Sequence, residues 1–136
     1  MNGLHLTADL QDCAAALPAM TQPDALRTLC LAAVQQAGLQ PVGELFHRFG
    51  PLSASSVSPL EQGGVTGVVL LAESHLAVHT WPELASVTLD VYVCNIGRDN
   101  SDMAHYVLNE LILAFSPKQA QRHVLRRGVP SSHSEE

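Results

Sequence analysis

The sequence predicts an α+β fold, a two-layer sandwich in which an antiparallel sheet carries two helices packed on one face. Three observations lead to this prediction. The predicted elements follow the order β-α-β-β-β-β-α-β, the links between consecutive strands are short, and each helix has one apolar stripe. A length of 136 residues fits a single domain, residues 1–136, with a core of its own.

The first part of the chain alternates strand, helix and strand. Residues 4–8 alternate loosely and indicate a strand, whereas residues 9–20 are Ala-rich and ambiguous. Thr21-Gln22-Pro23-Asp24 has the Ser/Thr-x-x-Asp/Glu form of a helix start, and Gly38 supplies the stop. A strand is predicted over residues 41–49, and the turn-rich segment 51–64 is interpreted as a loop.

The second part contains strands in close succession and one more helix. Its first strand is a nearly continuous apolar run, and its third alternates so that Thr88, Asp90, Tyr92 and Cys94 share a face. The helix has apolar residues at three- and four-residue steps. The predicted elements are strands at 65–72, 76–81, 87–94 and 121–125 and a helix from Asn100 or Ser101 to just before Pro117.

Composition narrows the class of protein. The formal charge is −6 and the only basic cluster is Arg122, Arg126 and Arg127, which argues against a nucleic-acid binder and suits a cationic small molecule better. No apolar run approaches the roughly 18 residues of a membrane span, and the N-terminus lacks the features of a secretion signal. Three cysteines at wide spacing indicate a reducing compartment. We therefore expect a cytoplasmic protein with a flexible tail at residues 128–136.

Three polar residues stand out at strand ends: Ser74, His79 and Cys94. Ser74 and His79 fall on opposite faces of a regular strand, so a turn or bulge at 74–75 would be needed to bring them together. With such a bulge, the three side chains could converge on one pocket. Each also has a plain structural interpretation, as a strand-end serine, a hydrogen-bonded core histidine and a small buried hydrophobe. Glu73, His75 and His79 lack the further ligand that a zinc site needs, so no metal is predicted.

Residues 64–83, together with 90–94, resemble the core motif of the bacterial and archaeal S-adenosylmethionine decarboxylases. The similarity spans most of residues 3–115. Its specificity lies in the joint pattern of Glu73-Ser74-His75, His79-Thr80-Trp81-Pro82-Glu83 and Asp90-Val91-Tyr92-Val93-Cys94.

The resemblance implies that the chain cleaves itself between Glu73 and Ser74. In this family the serine hydroxyl attacks the preceding carbonyl, and elimination and hydrolysis then leave a pyruvoyl group. Ser74 would become the pyruvoyl N-terminus of chain 74–136, and chain 1–73 would end at Glu73. His79 matches the base in processing, and Thr66 matches a hydroxyl that helps to hold the oxyanion intermediate.

The resemblance also implies a covalent pyruvoyl cofactor that withdraws electrons from the Cα–carboxylate bond of the substrate, and a homodimer with pockets near the interface. Cys94 matches the family's proton donor, a role that requires the thiol. Phe49 and Trp81 resemble an aromatic pair that sandwiches adenine, and Glu83 resembles a carboxylate that binds ribose hydroxyls.

Two departures from the family pattern leave alternatives open. The segment between Phe49 and Gly64 looks longer than usual, and Cys94 is followed by Asn95 rather than by the more usual Gly. Both changes could reshape the substrate pocket, so decarboxylation of arginine or ornithine is the second hypothesis. A third is an unprocessed homologue that has no enzymatic activity and binds a partner.

Overall fold

A computed structural model describes residues 1–50 and 63–128 of the chain. Short 3-10 turns occupy Pro18–Met20 and Pro82–Leu84. The longer elements of these two segments are β1 (Gly3–Gln11), α1 (Pro23–Gln36), β2 (Pro41–Arg48), β3 (Val65–Leu71), β4 (His75–Trp81), β5 (Ser86–Cys94), α2 (Ser101–Phe115) and β6 (Gln119–Arg127).

The six strands form one sheet in the order β2-β3-β4-β5-β1-β6, and every neighbouring pair is antiparallel. Helix α1 contacts β2 and β3, α2 contacts β1 and β5, and the helices contact each other. Side chains alternate along β4, with Leu76, Val78 and Thr80 buried and the intervening residues half-buried. The core therefore lies between the sheet and the helices, which confirms the predicted α+β sandwich.

Several boundaries differ from the predictions. Strand β1 continues to Gln11 instead of ending near residue 8, because it pairs with β5 on one side and β6 on the other. The same pairing extends β6 beyond 121–125. Thr21 does not cap α1, since the N-cap is Gln22 and the Gln22 side chain makes no capping hydrogen bond within the described part of the chain. The predicted loop lies outside the described residues from 51 to 62, as does the predicted tail from 129 to 136.

The Thr80 side chain links three parts of the fold by hydrogen bonds. It is completely buried. The hydroxyl oxygen Oγ1 accepts a hydrogen bond from the Val65 backbone N–H at 2.8 Å and donates one to the Met20 carbonyl at 2.8 Å. It thereby joins β4 to the start of β3 and to the first 3-10 turn.

We expect Thr80→Val to lower the free energy of unfolding by about 1–3 kcal/mol, because the valine keeps the shape but leaves the Val65 N–H and the Met20 carbonyl without their partner. Calorimetric unfolding at matched protein concentration measures this loss. The control is Thr28→Val on the exposed surface of α1, where a change within about 0.5 kcal/mol is expected. Equal effects at the two positions would contradict the role given to Thr80.

Candidate active site

Ser74 lies at the tip of the β3–β4 hairpin. The Leu71 N–H donates to the Ser74 carbonyl at 2.9 Å, and Ala72 and Glu73 form the exposed turn between them. Strand β4 begins at the next residue, His75. The Glu73–Ser74 peptide bond is thus accessible at one end of the sheet while its flanking strands are fixed by pairing.

Cys94 is the last residue of β5 and lies beside this hairpin, because β5 pairs with β4 in a register that sets His75 opposite Tyr92. The side chain of Cys94 is 7% exposed. Its backbone N–H donates to the Ser74 Oγ at 3.0 Å. The structure therefore brings Ser74 and Cys94 together, and it holds the serine oxygen by a backbone donor.

His79 and Thr66 form a second pair farther along the sheet. They face each other across β3 and β4, with 3.0 Å between the Thr66 Oγ1 and the His79 Nδ1. Trp81 shares their face of β4, and its ring centroid lies 5.9 Å from that of His79. Both members of the pair are half-buried on the side of the sheet away from the helices.

The two pairs do not meet within one chain. Strand β4 keeps an unbroken register with β3 and β5 and has no bulge at 74–75. His79 lies five positions after Ser74, which places the two residues about 16 Å apart at the rise of a regular strand. The expectation that a bulge gathers Ser74, His79 and Cys94 into one pocket is therefore wrong for a single chain, because hydrogen bonding to both neighbours keeps β4 extended.

The remaining predicted binding residues lie at the His79 end of the sheet. The Phe49 N–H donates to the Gly64 carbonyl at 3.0 Å. A Cβ at Gly64 would lie 1.8 Å from the Thr80 carbonyl oxygen and 2.9 Å from the Phe49 ring, so this approach requires glycine. Glu83 follows Trp81 in the second 3-10 turn. Both of its carboxylate oxygens are buried, and neither has a hydrogen-bond partner among the described residues.

Sequence reasoning missed a polar cluster on the open face of the sheet, close to the Ser74 end. His5 Nε2 lies 3.1 Å from Asp90 Oδ1, and Arg127 Nη1 lies 3.3 Å from His5 Nδ1. Tyr92 packs between the Arg127 guanidinium, 5.8 Å from its ring, and the His75 ring at 5.6 Å. Burial and then the nearby His5 lower the pKa of His75, so its imidazole is neutral at pH 7. The alternation of Asp90 and Tyr92 with apolar residues was the available signal.

The other two cysteines, Cys13 and Cys30, are also buried. Burial raises the pKa of Cys30 to about 12, and burial together with Asp12 raises that of Cys13 to about 11. Both therefore remain protonated thiols at neutral pH. Within residues 1–50 and 63–128, no three His, Cys, Asp or Glu side chains are grouped so that they could hold a metal ion, and no helix is long and apolar enough to cross a membrane.

Fold and site together define an antiparallel α+β sandwich that carries a serine–cysteine pair at the end of its central strands. A family model described as S-adenosylmethionine decarboxylase matches residues 4–128. The chain belongs to this family, which confirms the resemblance inferred from residues 64–94.

Curated relatives agree over nearly the whole length. The S-adenosylmethionine decarboxylase proenzyme of Aquifex aeolicus is 33% identical over 132 residues, covering 97% of this chain and 85% of the relative. That of Archaeoglobus fulgidus is 31% identical over 126 residues, covering 93% of this chain and 97% of the relative. The crystal structure of the Aquifex aeolicus adenosylmethionine decarboxylase matches with a TM-score of 0.76 at 32% identity, covering 98% of this chain and 97% of that one.

Proposed function

We propose that this chain is the precursor of a pyruvoyl-dependent decarboxylase of S-adenosylmethionine, which cleaves itself between Glu73 and Ser74 into chains 1–73 and 74–136. The observation that carries the proposal is the hydrogen bond from the Cys94 N–H to the Ser74 Oγ at the hairpin tip. In this arrangement the nucleophile and the bond to be cut lie next to the residue that carries the thiol. The relatives named proenzymes support the same conclusion.

Self-cleavage uses groups that the chain itself supplies. The Ser74 Oγ attacks the Glu73 carbonyl carbon, so that a C–O bond replaces the C–N bond. His79, the proposed base, then accepts the Ser74 Cα proton, and the Cβ–O bond breaks so that this oxygen leaves with the new Glu73 carboxylate. The Cys94 N–H donates to that same oxygen, which suits it to stabilise the leaving group. Hydrolysis of the remaining double-bonded residue releases ammonia and leaves the ketone.

Ser74 follows an exposed turn and has the Cys94 N–H beside its Oγ, an arrangement that suits a pyruvoyl group formed from this residue. Such a group would supply an electron-accepting ketone, the chemistry needed to weaken the Cα–carboxylate bond of an amine substrate. Cys94, at the end of β5, would deliver the proton that replaces carbon dioxide. Among residues 1–50 and 63–128, no group donates to the two buried oxygens of Glu83, which suits these oxygens to accept hydrogen bonds from ribose hydroxyls. Trp81 and Phe49 would stack on the adenine base.

The active unit in this proposal is a homodimer. His79 lies about 16 Å from Ser74 along β4, too far to act on it within one chain. Thr66, opposite His79 on β3, and Glu83, in the turn after β4, lie at the same distant end. We place a two-fold axis near Ala77, midway between Ser74 and His79. In such a dimer the two sheets face each other, and the Ser74 end of β4 in one copy lies opposite the His79 end of β4 in the other. The small Ala77 side chain allows close approach there, and sheets pack about 10 Å apart. Ser74 and Cys94 of one copy would then meet His79 and Glu83 of the other.

Measurement of carbon dioxide release from carboxyl-labelled S-adenosylmethionine, arginine and ornithine tests the substrate assignment. We expect release from S-adenosylmethionine alone, because Glu83 and the two aromatic residues match the nucleoside part. The Ser74→Ala chain serves as the blank and should release none. Turnover of arginine or ornithine in place of S-adenosylmethionine would overturn the substrate assignment, and no release from any of them would favour a protein without enzymatic activity.

A further inference from the structure

The peptide unit that links Cys94 to Asn95 is held on both sides. Its carbonyl oxygen accepts a hydrogen bond from the Asn100 side-chain Nδ2 at 2.9 Å. Its N–H donates to the Asn2 carbonyl at 2.8 Å, just before β1 begins. Since this unit sets the last backbone torsion of Cys94, the two bonds together fix the backbone from which the cysteine side chain projects.

Asn100 holds this position instead of capping a helix. It is the N-cap residue of α2, where asparagine is among the preferred types, yet its side chain makes no capping hydrogen bond. The Ser101 N–H is satisfied by the Asp99 Oδ1 at 2.9 Å. The backbone N–H of Asn100 donates to the Asn95 Oδ1 at 2.7 Å, which turns the Asn100 amide back towards β5. The Asn100 side chain therefore bonds the end of β5 and does not cap α2.

After cleavage, the hydrogen bonds to the Cys94–Asn95 peptide unit become more important for holding Cys94. In the precursor the Cys94 N–H is held by the Ser74 Oγ at 3.0 Å. In the proposed cleavage that oxygen departs with the Glu73 carboxylate, so Cys94 loses its bond to the serine side chain. The bond from Asn100 to the Cys94 carbonyl involves neither residue of the cleaved bond.

We infer that Asn100 is a positioning residue that aims the Cys94 thiol at the reacting carbon after maturation, with Asn95 holding Asn100 in place. This inference rests on the proposed function, in which Cys94 is the proton donor. Asn100 touches no reacting atom and acts only through the Cys94–Asn95 peptide unit. Its loss should therefore affect turnover more than self-cleavage or substrate binding.

Asn100→Asp tests the inference cleanly. The aspartate has the same shape and is an equally good N-cap, so α2 is retained, but it has no donor for the Cys94 carbonyl. We expect kcat for S-adenosylmethionine to fall about tenfold to a hundredfold, with KM and the extent of cleavage changed less than about threefold. The matched control is Asn109→Asp, the same chemical change on the exposed face of α2, where the side chain bonds Arg122. It should leave kcat unchanged.

A second readout does not depend on activity. In the Ser74→Ala chain, which also lacks the serine oxygen, adding Asn100→Asp should speed hydrogen exchange of the Cys94 and Asn95 amides about fivefold or more, whereas adding Asn109→Asp should not. Unchanged exchange together with unchanged kcat would overturn the inference. A wild-type protein with no decarboxylase activity would instead refute the proposed function. The exchange data would still report whether Asn100 restrains the Cys94–Asn95 peptide unit.

Discussion

Chains carrying Ser74→Ala or His79→Ala should each remain uncleaved when expressed alone, and a mixture of the two should cleave. In a mixed dimer the His79→Ala chain keeps its own Ser74 and receives an intact His79 from its partner. The other site of the same dimer lacks both groups. With random pairing of equal amounts, about half of the His79→Ala chains should therefore be cut. The reason is the separation of about 16 Å between Ser74 and His79 along β4.

The experiment needs tags of different mass on the two chains, co-expression, and a denaturing gel or mass spectrum of the products. His105→Ala is the matched control, because His105 is exposed on α2 in the helix layer, and it should cleave without help. A His79→Ala chain that cleaves alone at the wild-type rate would show that His79 is not the base. A His79→Ala chain that stays intact in the mixture would contradict the proposal that His79 of one copy acts on Ser74 of the other.

Cys94→Ala should cleave normally and yet lose turnover. The contact that holds the Ser74 Oγ comes from the backbone N–H of Cys94, so alanine preserves it during cleavage. The proton donor disappears with the thiol, and loss of such a group typically costs about 10²–10⁴ in rate. Carbon dioxide release measured on chains already shown to be cut separates the two steps.

The control for this variant is Cys13→Ala. Cys13 is also buried, at 6% exposure, but it lies in the connection after β1 and remains a protonated thiol. Its replacement should leave kcat unchanged. If Cys94→Ala instead retained wild-type kcat, another group would have to deliver the proton to carbon.

The sheet and helices could be predicted because their information is local. The alternation of residues 87–94 and the apolar stripes of both helices each specify one buried face. The ends of β1 could not be predicted in this way, since they are extended by pairing with β5 and β6, which are distant in sequence. For the same reason the buried bond from Thr80 to Met20, 60 residues apart, left no pattern in the sequence.

The candidate site could likewise be predicted only in part from the sequence. Resemblance to a family identifies residue types at Ser74, His79 and Cys94, and register then shows that Ser74 and Cys94 are neighbours. It does not show whether His79 acts within a chain or between chains, because spacing in sequence carries no information about a second copy. The role inferred for Asn100 was equally hidden, since an asparagine before a helix predicts a cap, and only the structure shows its amide turned towards Cys94.

Mass spectrometry of the purified wild-type protein, with and without sodium borohydride, tests the central claim most directly. The account requires two chains, 1–73 and 74–136, with the longer one ending at an intact Glu73 and the shorter one beginning with a ketone that gains two hydrogens on reduction. A single 14.5 kDa chain that neither divides on prolonged incubation nor reacts with borohydride would contradict it.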